Sequence, residues 1–217
     1  MQYPDIEQGT NAWFKARAGK VTASRVADVA AKTKSGYSAS RATYMGQLIA
    51  ERLTGNVADS FSNASMAWGT ETEPQARAVY ELELGVEVIE VGFVPHPTID
   101  GSSASPDGLI GVDGLVEIKC PNTSTAIGML LNEKVPAKYL TQIQWQLACT
   151  GRSWCDFVSF DPRLPTDMQM FCKRAERDDA RIAELETEVV AFLDELSAKV
   201  KTLTDKFGAP DNVLSAG

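Results

Sequence analysis

Ser105-Pro106-Asp107-Gly108, followed by Leu115-Val116-Glu117-Ile118-Lys119, is the stretch that decides how this chain is read. The second segment has the apolar character of a strand, yet it carries an acid and a lysine. Ionised groups in such a setting are costly unless they are paired or bind a metal. Side chains alternate across a strand, so Glu117 and Lys119 share one face while Val116 and Ile118 point to the other. Whether Asp107 joins them depends on the turn. A two-residue Asp113-Gly114 loop pairs Val112 with Leu115 and leaves Asp107 opposite Cys120, on the wrong face. A three-residue Val112-Asp113-Gly114 loop pairs Gly111 with Leu115 and places Asp107 opposite Lys119. Such loops put glycine in the left-handed position of a bulge, which suits Gly114, so the three-residue loop is predicted. A slip of one residue would dismantle the cluster.

Two carboxylates and an ammonium brought together have a definite chemistry. Asp107 and Glu117 offer the hard oxygens that Mg²⁺ or Mn²⁺ prefer, and the Ile118 carbonyl between them is a further candidate ligand. Lys119 is placed to hold an attacking water or to offset charge developing at phosphorus. The pattern points to metal-assisted hydrolysis of a phosphodiester.

The 217 residues, 44% of them apolar, suit a single folded domain over residues 1–217. No apolar run approaches the roughly 20 residues that cross a bilayer. Met1-Gln2-Tyr3-Pro4-Asp5 lacks the basic start and apolar centre of a secretion signal, so a cytoplasmic protein without membrane contact is expected. Cys120, Cys149, Cys155 and Cys172 form no CxxC pair and read as buried free thiols. His96 lies between Pro95 and Pro97 with no catalytic partner at a suitable spacing.

A net charge of −8 argues against nucleic acid as a bulk figure, but its distribution reverses the impression. From Asn11 to Arg41, Lys15, Arg17, Lys20, Arg25, Lys32, Lys34 and Arg41 face Asp28 alone. From Phe61 to Ile118, ten acids face Arg77 alone. A basic arm beside an acidic block fits an anionic polymer held by one part and metal ions by the other. A solvated basic helix surface is the ordinary alternative.

Along the chain, Thr22 or Ser24 is expected to cap a short helix through Ala31. A second helix is predicted from about Ser40 to Leu53, stopped by Gly55. A third is predicted from Ser65 to Leu84 with interruptions, Pro74 opening its second half. Strands are expected at Val86–Val94, Ser102–Ile110, Leu115–Lys119, Trp154–Phe160 and Met168–Cys172. Helices are expected over Thr125–Leu131 and from Pro136 to Gly151. Lys173–Lys206 reads as a long helix with Ile182, Leu185, Val189, Phe192, Leu193 and Leu196 on one stripe, and 209–217 as a mobile tail. The result is an α/β (α+β) fold with a mostly antiparallel central sheet flanked by helices. Trp13, Trp68, Trp145 and Trp154 could stack on bases, but core packing is the expected role of most.

Pro106-Asp107 followed by Glu117-Ile118-Lys119 matches the PD-(D/E)xK nuclease signature. More of the chain resembles one branch, the lambda-exonuclease type of phage recombination nuclease. The resemblance is carried by Trp13 and Arg17 to Ser24, by Ala67-Trp68-Gly69 with Glu73, and by Ser105 to Leu109. Glu117 to Pro121, Tyr139 to Gln144 and Asp161-Pro162-Arg163 complete the series, in order from about Glu7 to Arg163. It implies a restriction-endonuclease-like core and a Mg²⁺-dependent enzyme, with Mn²⁺ able to substitute and two ions per site. Such an enzyme digests one strand of linear double-stranded DNA from 5′ to 3′, releasing mononucleotides and leaving a 3′ single-stranded tail. By resemblance Asp107, Glu117 and the Ile118 carbonyl hold metal, Lys119 serves the nucleophile, Glu73 completes a second metal's environment, and Gln142 lies near the metal. Arg17, Thr22 and Ser24 match the region that receives the 5′-phosphate. The family forms a ring-shaped homotrimer that threads DNA, acts with a single-strand annealing recombinase, and is encoded by phages or prophages in the bacterial cytosol.

The chain departs from the pattern twice. Pro74 directly follows Glu73, and Gln146 stands where wider relatives often carry a tyrosine. A structure-selective or restriction-type endonuclease would use the same hairpin. A non-catalytic DNA-end clamp would not need Asp107, Glu117 and Lys119 intact.

Overall fold

The computed structural model describes residues 5–34, 36–57 and 64–208. The N-terminal part holds α1 (Asn11–Arg17), β1 (Val21–Thr22), α2 (Val26–Ala30), the short pair β2 (Lys32–Thr33) and β3 (Gly36–Tyr37), and α3 (Ala39–Thr54). There follow α4 (Ala64–Leu84), β4 (Val88–Ile89), β5 (Val94–Pro95), β6 (Ser102–Ala104), β7 (Gly108–Ile110) and β8 (Gly114–Lys119). The chain continues through α5 (Thr123–Asn132), α6 (Ala137–Thr150), β9 (Trp154–Phe160), β10 (Met170–Glu176) and α7 (Asp179–Phe207).

The central sheet has the order β10-β9-β8-β7-β4 and is antiparallel except at β8–β9. Two parallel neighbours need a crossover, here made by α5 and α6. Alternation along β8 divides its side chains as expected. Val116 and Ile118 pack with Ala76 and Tyr80 of α4, whereas Leu115 packs with Phe157 under Ile143 and Leu147 of α6. Glu117 and Lys119 are the charged side chains that β8 sends to this side, and Glu117 is fully buried. The layers thus run α4, sheet, α5 with α6.

A second core lies beside the first. Three short strands in the order β1-β6-β5 pack with α2, α3, α7 and the inner face of α6. All six stripe residues of α7 are buried, as their spacing required. Two ion pairs tie this helix to the N-terminal part, Lys32 with Glu188 and Arg41 with Glu195 at 2.7 Å. Gly55 stops α3 at the expected place, with φ of +70°, and Ser38 caps its start by accepting from the Arg41 N–H.

Several elements differ from expectation, each for a local reason. The predicted strand 102–110 is split at Pro106, which has no N–H to give a ladder; β6 joins the small sheet and β7 the large one. The predicted strand 86–94 is reduced to β4 and β5, also in different sheets. Residues 173–176, read as helix, instead extend β10, because pairing with β9 runs through Glu176. Helix α7 starts at Asp179, where the Asp178 side chain accepts from the Arg181 N–H. Helix α4 passes through Pro74 without interruption, held by its packing on the sheet. Helix α1, capped by Thr10, was not anticipated. Cys172 is exposed, unlike the three buried cysteines. His96 is buried, stacked on Trp145, with Nδ1 accepting from the N–H groups of Thr98 and Ile99. The tail expected at 209–217 lies outside the described residues.

Candidate active site

The hairpin register decides the site. Gly108 pairs with Val116, Leu109 with Leu115 and Ile110 with Gly114. The loop is therefore three residues long, but it is Gly111-Val112-Asp113, one position earlier than predicted. Gly111, with φ of +50°, supplies the left-handed residue. Gly114 is needed for another reason: a Cβ there would come within 2.2 Å of the Trp154 ring. Continuing the register sets Asp107 beside Glu117 rather than Lys119. The difference is two residues, which preserves the face, so the three groups still converge. Arg152 fixes the turn by donating from Nη1 to the carbonyls of Ile110, Gly111 and Gly114, the last at 2.7 Å.

Asp107 Oδ2 accepts from the Ile118 N–H at 2.7 Å, taking the place of a strand partner beyond Pro106. Lys119 Nζ forms an ion pair with Glu117 Oε1, lies 3.9 Å from Asp107 Oδ2, and donates to the Ile118 carbonyl at 3.2 Å. Gln142 Nε2 donates to Glu117 Oε1 at 2.6 Å, and Gln146 Nε2 to Glu117 Oε2 at 2.6 Å. Burial, and then the charge of Glu117, push the Asp107 carboxyl well above its ordinary value. Burial would lower the Lys119 ammonium, but Glu117 and Asp107 outweigh it and raise it. Glu73 is raised by burial, against the pull of Arg77 and Lys119.

A fully buried carboxylate and a mostly covered one repelling each other form a set that a cation would relieve. Among the described residues no group of three or more His, Cys, Asp or Glu side chains is arranged to hold a metal ion. The hard donors present, two carboxylates and a carbonyl, suit an ion that keeps much of its own water, as Mg²⁺ does. Glu73 lies on α4 with its Oε1 2.9 Å from Arg77 Nη2, and the other arm of that guanidinium is 2.5 Å from Glu90. It is close enough to act electrostatically on Asp107 and Lys119.

Beside the hairpin lies a cavity of about 740 Å³, whose walls include Trp13, Arg17, Lys20, Thr22, Ser24, Arg25, Glu73 and Arg77. Arg17, Thr22 and Ser24 are thus brought together, and Glu73 joins them; Asp107, Glu117 and Lys119 are not among its walls. The predicted helix after Thr22 is a tight turn, Ala23–Arg25, leading into α2, and the Thr22 side chain makes no capping bond. Arg17 lies 4.0 Å above the Trp13 ring, and both donate to Ser105 Oγ, at 3.1 and 3.0 Å. Ser105 stands two residues before Asp107, so two wall residues of the cavity are tied to the segment that carries Asp107.

The tryptophans are mainly structural. Trp145 is fully buried, while Trp68 and Trp154 are covered by Arg163 and Arg174 at 4.3 and 3.5 Å. Sequence reasoning assigned no site role to Ser105, Arg77 or Gln146. The helical spacing of four that joins Glu73 to Arg77, and Gln142 to Gln146, was the available signal for the last two.

The family model of the YqaJ-like viral recombinase domain matches residues 12–153. Among solved structures, the chain is 59% identical to an alkaline exonuclease, LHK-Exo, from Laribacter hongkongensis, with a TM-score of 0.85 over 91% of this chain and 97% of that one. A complex of LHK-Exo with dAMP matches with the same figures. A phage related exonuclease from Haemophilus somnus 129PT, 15% identical, matches with a TM-score of 0.67 over 85% of this chain and 96% of that one, a likeness of fold. A comparison with curated protein sequences gave no match. The chain therefore belongs to the YqaJ-like viral recombinase domain family, the lambda-exonuclease type of recombination nuclease built on a restriction-endonuclease-like core.

Proposed function

We propose that this chain is a Mg²⁺-dependent exonuclease that starts at ends of linear double-stranded DNA. It degrades one strand from 5′ to 3′, releases mononucleotides, and leaves a 3′ single-stranded tail for strand annealing. The observation that carries the reading is the convergence of Lys119 on Glu117 and Asp107, next to a cavity walled by both Arg17 and Glu73. Similarity to an alkaline exonuclease, and its capture with the deoxynucleotide dAMP, supports the substrate class.

In this reading Asp107, Glu117 and the Ile118 carbonyl hold Mg²⁺, for which Mn²⁺ substitutes. The ion, when bound, acidifies a water and neutralises charge on the scissile phosphate. Lys119 orients the attacking water and offsets charge in the transition state, work that a fixed ammonium does best away from bulk solvent. Glu73 serves a second ion after leaving Arg77, and Gln142 holds Glu117 in place. Arg17 takes the 5′-phosphate with Thr22 and Ser24, which sets the polarity of digestion. A homotrimeric ring and a single-strand annealing recombinase as partner complete the proposal. No helix among the described residues is long and apolar enough to cross a membrane.

Digestion of duplexes labelled at either end, with Mg²⁺ and with chelator, tests the reading. Mg²⁺-dependent loss of 5′ label as mononucleotide, with covalently closed circles left intact, is expected, together with a solution mass of three chains. Cleavage of closed circles would favour an endonuclease, and end binding without hydrolysis a clamp.

A further inference from the structure

A buried amide in a core needs a reason, and Gln146 is fully buried in the middle of α6. Its neighbours Leu147, Ala148 and Cys149 belong to the apolar cores, so its position is one that leucine or methionine would fill without a desolvation cost. Its Nε2 donates to Glu117 Oε2 at 2.6 Å, while Gln142, one turn earlier, donates to Oε1 at 2.6 Å. A carboxylate only accepts, so both amides must present N–H to it, which fixes their orientation. Gln146 Oε1 is left buried with no partner among the described residues. An acceptor left unmatched in a core is destabilising, and it is retained here alongside the one contact that Nε2 makes to Glu117.

Resting on the metal reading above, we propose that Gln146 is a positioning residue for the divalent-cation site. It anchors one oxygen of Glu117, so that the other, shared by Gln142 and Lys119, is held toward Asp107. A single donor would leave the carboxylate free to rotate about its last bond. Two donors a helical turn apart fix its plane. Residues that orient a metal-binding carboxylate in this way typically alter affinity by about 10–100-fold when removed.

Gln146→Met keeps the length and volume but removes the donor; Gln146→Asn keeps the amide but withdraws it from Oε2. Mn²⁺ binding to the DNA-free protein is measured by calorimetry, alongside the Mg²⁺ concentration that half-saturates hydrolysis and the affinity for a duplex end in chelator. Both cation measures are expected to weaken about tenfold or more in Gln146→Met and less in Gln146→Asn, with end binding unchanged. Folded variants with wild-type Mn²⁺ binding would overturn the assignment, and so would equal losses of cation and end binding. If Gln146→Met does not fold, Gln146→Asn reads the same quantity. Failure of the wild-type protein itself to bind Mn²⁺ would instead remove the metal reading on which the assignment rests.

Discussion

At the scale of single residues, Lys119 joins packing and chemistry in one group. Its ammonium is the only cation in contact with Glu117 and Asp107 among the described residues, so it stabilises the fold as well as taking the role proposed for it in the reaction. Removing it leaves the buried Glu117 and the mostly covered Asp107 without a counter-ion, which costs on the order of 3–5 kcal/mol. Lys119→Met is therefore expected to lower the melting temperature in chelator, and Mg²⁺ should restore more stability to it than to the wild type. Hydrolysis should fall about 10²-fold or more while Mg²⁺ still binds. Thermal unfolding with and without Mg²⁺, beside a rate measurement, checks both parts; an undiminished rate would remove Lys119 from the mechanism. This cluster was legible in the sequence because ionised groups in a strand require partners. Its register was not: glycine at 111 and at 114 both suit a turn, and only the contact of Gly114 with Trp154, distant in sequence, selects between them. Gln146 was visible as a departure, but its contact with Glu117 depends on how α6 lies over β8.

At the scale of elements, the helix ends that carry their own signals were readable, as with Gly55 after α3 or Gly151 after α6. Strands whose limits are set by partners were not. β10 continues to Glu176 because β9 is there to pair with it, although Lys173-Arg174-Ala175-Glu176 has a helical composition. The break between β4 and β5 has a similar origin at Gly92. A Cβ at Gly92 would lie 1.5 Å from the Ile6 carbonyl oxygen and 3.2 Å from the Gln8 nitrogen. Both are backbone atoms, so the segment around residues 6–8 would have to move as a unit. It would give up the Gln8 hydrogen bonds to the carbonyls of Val91 and Pro106, at 2.9 and 3.0 Å, the second adjoining Asp107. Gly92→Ala is expected to cost about 1–3 kcal/mol in urea unfolding and to expose residues 5–10 to amide exchange. Gly46→Ala, on the exposed face of α3 with nothing within 4 Å, is the control and should gain about 0.5–1 kcal/mol. Equal stabilities for the two variants would mean that the N-terminal segment does not dock as described.

At the scale of the whole molecule, a chain of net charge −8 must hold a polyanion, and the division of charge explains how. Much of the basic arm is spent internally: Arg25 pairs with Asp28 at 2.6 Å, Lys32 with Glu188, and Arg41 with Glu195. Arg17 and Lys20 remain as cavity cations, and burial lowers the pKa of each, so a phosphate entering there meets positive charge already stripped of much of its water. Attraction concentrated at one place predicts a specific salt dependence. Each phosphate contact adds about 0.9 to the magnitude of the slope of log affinity against log salt. Duplex ends bearing a 5′-phosphate should therefore show a slope steeper by about one to two than ends bearing a 5′-hydroxyl, whatever contacts the remaining duplex makes. In Arg17→Ala that difference should shrink by about one, and the preference for phosphorylated ends should fall with it. Anisotropy titrations across a range of salt, in chelator, measure both. An unaltered difference would place the terminal phosphate outside the cavity, and the polarity of digestion would then need another origin.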